Sequence, residues 1–136
     1  MTQFSGRCLC GKIHYSVDGE VRNIAACHCK SCQIESGSAF AILVVVDKAS
    51  FKIEGDSIKT FTRPGGSGKP KTMSFCGDCG TTILHESTLA PGMAFIRAGT
   101  LDDASWVTPK VHIWTEEKQP WVVIPEGVPQ FARNRE

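Results

Sequence analysis

The chain has little of what would place it in several large protein classes. It lacks an apolar run long enough to cross a bilayer, for the longest, residues 39–46, has only the length of one strand. Residues 1–7 hold no apolar stretch of the signal-peptide type. A cytoplasmic protein with no membrane partner is therefore expected. It also lacks an excess of charge of either sign, since 15 Lys and Arg face 14 Asp and Glu, a formal net charge of +1. That sum counts every cysteine as neutral, whereas metal-ligating cysteines are thiolates, so loading the cysteines with metal would turn it slightly negative. Basic residues are scattered, apart from a loose group at Arg63, Lys69 and Lys71. Nothing in this pattern argues for a nucleic-acid partner. Repeats and linker-like segments are absent, and 136 residues suit one domain, residues 1–136, large enough to bury a hydrophobic core.

An even number of cysteines is missing too. Seven cysteines cannot complete a disulfide framework, and their spacing is too tight for a network of staples. In an intracellular protein such close groups read as metal or redox sites.

What is present reads as mostly β. Residues 12–17 partly alternate apolar with polar, as a half-buried strand does, and residues 39–46 suit a strand buried on both faces. Residues 50–53 and 57–62, separated by Glu54-Gly55-Asp56, carry a hairpin signal. Residues 71–75, 81–85, 93–98 and 111–114 are further strand candidates. Only residues 30–36 look helical, with Gly37 where a helix-ending glycine belongs. Many short strands between frequent turns indicate an all-β domain with at most short helices. The polar tail after Pro125 is expected on the surface, frayed at its end.

The cysteines form three groups, Cys8-Leu9-Cys10-Gly11, Cys27-His28-Cys29-Lys30-Ser31-Cys32 and Cys76-Gly77-Asp78-Cys79-Gly80. A structural zinc takes four ligands in a tetrahedron, and four cysteines are a common set. The first and third groups each end in Cys-Gly, and glycine permits the tight backbone of a chelating turn. Two such pairs make one site, Cys8, Cys10, Cys76 and Cys79, joining distant parts of the chain; the competing reading is buried free thiols. The middle group then stands alone. Three protein ligands and a vacant position are the pattern of a catalytic zinc, here Cys27, Cys29 and Cys32. In an extended Cys-x-Cys, alternate side chains share a face, so Cys27 and Cys29 point one way and His28 the other. Two alternatives stay open, a redox Cys29/Cys32 pair and a second structural site completed by a histidine. His28 suits a supporting or solvent-facing role, and His14, His85 and His112 read as packed or surface residues.

Residues 65–70, Gly-rich and ending in Lys69-Pro70, fail as a phosphate loop. Arg63 stands where the first glycine should be, and Pro70 where Ser or Thr must reach Mg²⁺. They read as a mobile loop, either solvated or serving as a basic lid over a carboxylate-bearing ligand. Trp106, Trp114 and Trp121 read as core or rim aromatics before they read as ligand-stacking groups.

The order Cys-x-Cys-Gly, then Cys-His-Cys-x-x-Cys, then Phe75-Cys76-Gly77-Asp78-Cys79-Gly80-Thr81 resembles the glutathione-dependent formaldehyde-activating enzyme family, which also includes centromere protein V. Gly99-Thr100-Leu101-Asp102, His112-Ile113-Trp114 and Pro120-Trp121 look like its carboxyl-terminal pattern, so the resemblance runs from Gly6 to Phe131. It implies a twisted antiparallel β-tent around a structural zinc on Cys8, Cys10, Cys76 and Cys79. It implies a second zinc on Cys27, Cys29 and Cys32, hence two Zn²⁺ per chain. It further implies a carbon–sulfur lyase with glutathione as the small thiol partner, joining it to formaldehyde as S-(hydroxymethyl)glutathione. The alternative is a non-catalytic zinc-binding module for protein contact or metal handling. Binding of glutathione separates the two.

Overall fold

Residues 2–134 are described in a computed structural model. Ten strands fall into two sheets. The smaller has the order β1 (Gln3–Arg7), β2 (His14–Asp18), β5 (Phe51–Glu54). The larger has the order β10 (Val111–Ile113), β3 (Val21–Cys27), β4 (Ala41–Asp47), β9 (Met93–Arg97), β8 (Thr82–Ser87), β7 (Pro70–Cys76), β6 (Ile58–Pro64). All neighbours are antiparallel except β10 and β3, which run parallel. The domain is thus β-built, with open sheets and one α-helix among the described residues, α1 (Lys30–Ser36). No helix among them is long and apolar enough to cross a membrane.

The helix begins and ends where the sequence places it. Cys29 caps it, its sulfur accepting from the Cys32 amide at 3.3 Å, and Gly37 ends it in the left-handed conformation at φ 65°. Residues 39–46 form β4, whose inner residues are buried on both faces. The hairpin expected from residues 50–53 and 57–62 is not one. Both strands exist, but β5 pairs with β2 in the small sheet and β6 with β7 in the large one. The turn at Gly55 (φ 141°) instead carries the chain between sheets, and a Cβ there would lie 2.5 Å from the Lys12 carbonyl oxygen. Strands β1 and β3 lack a strong alternating pattern, and both were unanticipated. The tail lies on the surface but is tied down: Phe131 donates its amide to the His112 carbonyl at 2.9 Å, and Trp114 donates to Arg133 at 3.0 Å. The extreme end of the tail, residues 135–136, lies outside the described residues.

Strand alternation divides the large sheet into two chemically different faces. Val44 and Val46 of β4, Leu84 of β8, and Ala94 and Ile96 of β9 join Ile13, Tyr15 and Val17 of the small-sheet side in the main core. Ala41 and Leu43 of β4 point the other way, into a second cluster with Cys27, Cys29, Cys32 and Trp114, against which Phe95 packs. The main core also holds Cys8 and Cys76. One cysteine group therefore stands on each side of the large sheet.

Candidate metal centres

The first group is assembled from two turns. Cys8 and Cys10 follow β1, and Cys76 and Cys79 close β7, so the group links the small sheet to the large. The four sulfurs all lie within 4.8 Å of one another, with Cys8 and Cys10 3.6 Å apart and Cys10 and Cys76 3.7 Å apart. Four sulfurs at about 2.3 Å from one zinc stand about 3.8 Å from each other in a tetrahedron. The donor set and the spacing therefore fit a tetrahedral divalent ion. Both turns aim backbone N–H groups at sulfur, Ile13 to Cys8 at 3.3 Å and Cys79 to Cys76 at 3.4 Å, as suits thiolate charge. Ser57 Oγ lies 3.3 Å from Cys76, and Thr81 Oγ1 lies 3.2 Å from Cys79 while accepting from the Leu9 amide. Gly11 and Gly80 close the turns at φ 81° and 79°, where a side chain would be strained.

The second group is local in sequence and buried in space. Cys27 ends β3, Cys29 caps α1, and Cys32 lies one turn inside it. Their sulfurs also converge within 4.8 Å, and all three are buried. Without a cation, three thiols this close cannot ionise together. Hydrogen bonds from the Cys27 and Cys32 thiols hold Cys29 far below the ordinary thiol range, helped by the Cys32 amide and Lys71, and Cys27 is pushed up in return. A divalent ion reverses this, because coordination deprotonates a thiol outright. The group can hold a metal with three protein ligands. No histidine completes it: in neither cysteine group is a histidine nitrogen brought within ligand range of the sulfurs.

His28 points away from the sulfurs, as an alternating backbone requires, but it is not solvent-facing. It is fully buried, its Nε2 lies 2.8 Å from His112 Nδ1, and its Nδ1 finds no partner among the described residues. Burial holds it neutral, its pKa lowered to about 4, with the neighbouring His112 and Lys118 adding to the effect. Its amide donates to Ile113 at 3.0 Å and its carbonyl accepts from Gln33 Nε2 at 2.7 Å. His28 thus anchors the Cys-His-Cys segment to β10 and to the helix.

A cavity of about 90 Å³ opens beside Cys27 and Cys29. Leu43, Phe95, Ile113 and Trp114 give it apolar walls, and Lys71, His85, Ser87 and Asn134 supply the polar groups. The glycine-rich loop forms one side through Gly65, Gly66 and Ser67. Gly66 lies flat on Trp114, where a Cβ would stand 2.7 Å from the indole. Trp114 is held in turn by a hydrogen bond from Nε1 to Asn134 at 2.9 Å and adopts φ 57°, alone among the described non-glycine residues in the left-handed region. The loop therefore forms one wall of the cavity and rests on Trp114. Trp114 lines the cavity, whereas Trp106 packs on Phe4 and Trp121 is exposed.

The basic group divides. Lys71 reaches the cavity and Lys69 is exposed, but Arg63 donates to Glu35 of α1 at 2.8 Å and is not free to meet a ligand. Glu35 also accepts from Arg97, and Arg97 Nη1 reaches His85 Nδ1 at 2.9 Å. Burial alone would raise the Glu35 carboxyl, but Arg97 and Arg63 together outweigh it and hold it below the carboxylate range. Burial, reinforced by Lys71, Arg97 and Arg63, holds His85 neutral, far below its ordinary pKa. His85, Glu35, Arg97 and Phe95 were not singled out by sequence reasoning as site residues. They come from two strands, β8 and β9, and the helix, and only Phe95 and Arg97 lie close together in sequence.

The family pattern described as glutathione-dependent formaldehyde-activating enzyme matches residues 3–117, which include both cysteine groups and the strands between them. The chain belongs to that family. An uncharacterised lyase of Schizosaccharomyces pombe is 26% identical over 118 residues, covering 87% of this chain and 82% of its own. The crystal structure of a Rhodobacter sphaeroides protein superposes with a TM-score of 0.58 at 19% identity, over 77% of this chain and 91% of that one. The latter shows a shared fold. Family membership and the lyase relative support an enzyme of the formaldehyde-activating type.

Proposed function

We propose that the protein is a zinc-dependent carbon–sulfur lyase that makes and breaks the adduct of a small thiol with an aldehyde. Glutathione and formaldehyde, giving S-(hydroxymethyl)glutathione, are the pair its family points to. The observation that carries this reading is the convergence of three buried cysteine sulfurs, two of which, Cys27 and Cys29, line a small cavity that Lys71 also reaches. Cys8, Cys10, Cys76 and Cys79 would hold one zinc, closed and structural, and Cys27, Cys29 and Cys32 a second with a position left open.

In the forward direction the thiol sulfur bonds to the carbonyl carbon and the carbon–oxygen π bond opens. The proton lost by sulfur leaves to solvent, and the new hydroxyl oxygen gains one. A zinc ion at the three cysteines would supply a Lewis-acid position at which a thiol is deprotonated near neutral pH. The chain's own residues do the rest. Leu43, Phe95, Ile113 and Trp114 exclude water from the reacting carbon. The cavity, about 90 Å³, takes the reacting end of an adduct and lies far below the roughly 300 Å³ at which ligand pockets begin. The peptide part of a thiol such as glutathione would lie outside, with Lys71 placed to meet a carboxylate. Holding both reactants at one point converts a two-body encounter into a positioned reaction.

Exchange NMR on mixtures of formaldehyde and glutathione tests the reading. Wild-type protein should speed adduct formation and breakdown above the spontaneous rate, and Cys27→Ala should not. About two zinc ions per chain are expected by elemental analysis. Equal rates with and without protein, and no heat of glutathione binding by calorimetry, would exclude this thiol and leave another thiol substrate or the non-catalytic zinc module.

A further inference from the structure

We propose that His85 is a catalytic residue, a neutral Nε2–H donor to the oxygen of the bound aldehyde or of its adduct. The proposal rests on the lyase reading above and names the group that would meet the oxygen.

The argument starts from Arg97. A guanidinium has donors and no acceptor. Its Nη1 contact with His85 Nδ1 at 2.9 Å therefore requires the imidazole to present a lone pair at Nδ1. A ring that accepts at Nδ1 and is neutral carries its hydrogen on Nε2. Protonating Nδ1 would set two donors against each other, so the network fixes both the tautomer and the charge of the ring. Arg97 is itself fixed, because Glu35 of α1 accepts from it and from Arg63. Phe95 lies parallel to the imidazole at 4.7 Å between ring centres, with an interplanar angle of 2°, and holds its plane.

The donor has a place to act. His85 lines the same small cavity as Cys27 and Cys29. Among the described residues Nδ1 is taken by Arg97, and no partner for Nε2 is found. With Nδ1 engaged, Nε2 is the polar ring atom left for a group bound in the cavity that His85 lines. Addition of a thiolate to a carbonyl builds negative charge on oxygen. A rigid N–H donor in a dry cavity stabilises that charge without having to reorganise. His85 keeps its proton throughout, and the oxygen is protonated from solvent. Arg97, Glu35 and Arg63 act through His85 as positioning residues.

The test combines ring-nitrogen NMR with kinetics. In the zinc-loaded protein, ¹⁵N spectra should show His85 with a bare Nδ1 and a protonated Nε2 across neutral pH. The Nε2–H signal should move when formaldehyde and glutathione are added together. In kinetics, His85→Phe should lower kcat for adduct turnover by about a hundredfold, in the range seen when one such donor is removed. Glutathione affinity and zinc content should stay unchanged. His85→Gln, whose amide N–H can take the place of Nε2–H, should recover most of the loss. An imidazole protonated at Nδ1, or His85→Phe turning over as fast as wild type, would overturn the proposal and leave the lyase reading standing. Wild type without activity would defeat the lyase reading. In that event a shift of Nε2–H on adding the two reagents would still support His85 as an oxygen-binding donor, and a fixed Nε2–H would remove it.

Discussion

His28 Nε2 lies 2.8 Å from His112 Nδ1, and this bond ties the centre of the Cys27–Cys29 segment to the edge strand β10. His28 is completely buried, and no other hydrogen-bond partner for its imidazole is found among the described residues. His112→Phe should leave both nitrogens of His28 unpaired and destabilise the protein by roughly 1–3 kcal/mol, the penalty of a buried polar group stripped of its partner. The urea midpoint measures this. The same variant should lose zinc from the second centre before the first. An unchanged midpoint would mean the bond contributes nothing.

The two cysteine groups should fail differently. Cys76 lies in the main core and joins the small sheet to the large, so Cys76→Ala is expected to abolish soluble protein or lower Tm steeply, because structural zinc supplies folding free energy directly. Cys29→Ala removes one ligand of the second group and the sulfur that caps α1. It should empty that centre, cost about 1 kcal/mol for the cap, and leave the β-sheet spectrum intact. Equal damage from both variants would overturn the division into a closed and an open centre.

Tyr15 is the chain's single tyrosine, so absorbance near 295 nm titrates it alone. Burial pushes its phenol up to about 12, opposed by its hydrogen bond with Thr100 and aided by the charge of Asp102. The folded state therefore binds its proton more tightly than the unfolded state. The corresponding stability is complete below pH 10 and disappears as pH rises through about 12. Unfolding free energy should fall over that window in wild type, and Tyr15→Phe should flatten the fall. A phenol titrating at its ordinary value would refute the buried environment.

Glu35 compensates Arg63 and the buried Arg97. Glu35→Ala leaves those guanidinium groups without their carboxylate and should destabilise by about 3 kcal/mol. Because its folded pKa is lowered, Glu35 contributes stability above the ordinary carboxylate range, and that contribution is lost as pH falls through the folded value. A wild-type stability curve that declines in acid more steeply than that of Glu35→Ala is the expected outcome. Parallel curves would show the pair to be energetically idle.

Much of this was legible from local pattern. The Cys-Gly turns, the helix from Lys30 with its closing Gly37, and β4 follow from interactions among residues a few positions apart. Counting ligands was enough to bring Cys8 and Cys10 together with Cys76 and Cys79, because two chelating pairs make one tetrahedral set. The partners of side chains on neighbouring strands were not legible. The stretch around Gly55 has the composition of a hairpin, yet its strands go to different sheets, from which Ile53 of β5 and Ile58 of β6 pack against the one main core. Arg63 reads as a ligand cation in sequence and turns to Glu35 in the fold. Leu84 and His85 are adjacent, but strand alternation buries one in the main core and delivers the other to the cavity beside Cys27. The sequence by itself determined which cysteines are spaced to chelate, because that capacity is a property of short spacing. Only the tertiary structure decided which of the remaining groups face the cavity beside Cys27 and Cys29, because that depends on which face of the large sheet each strand presents.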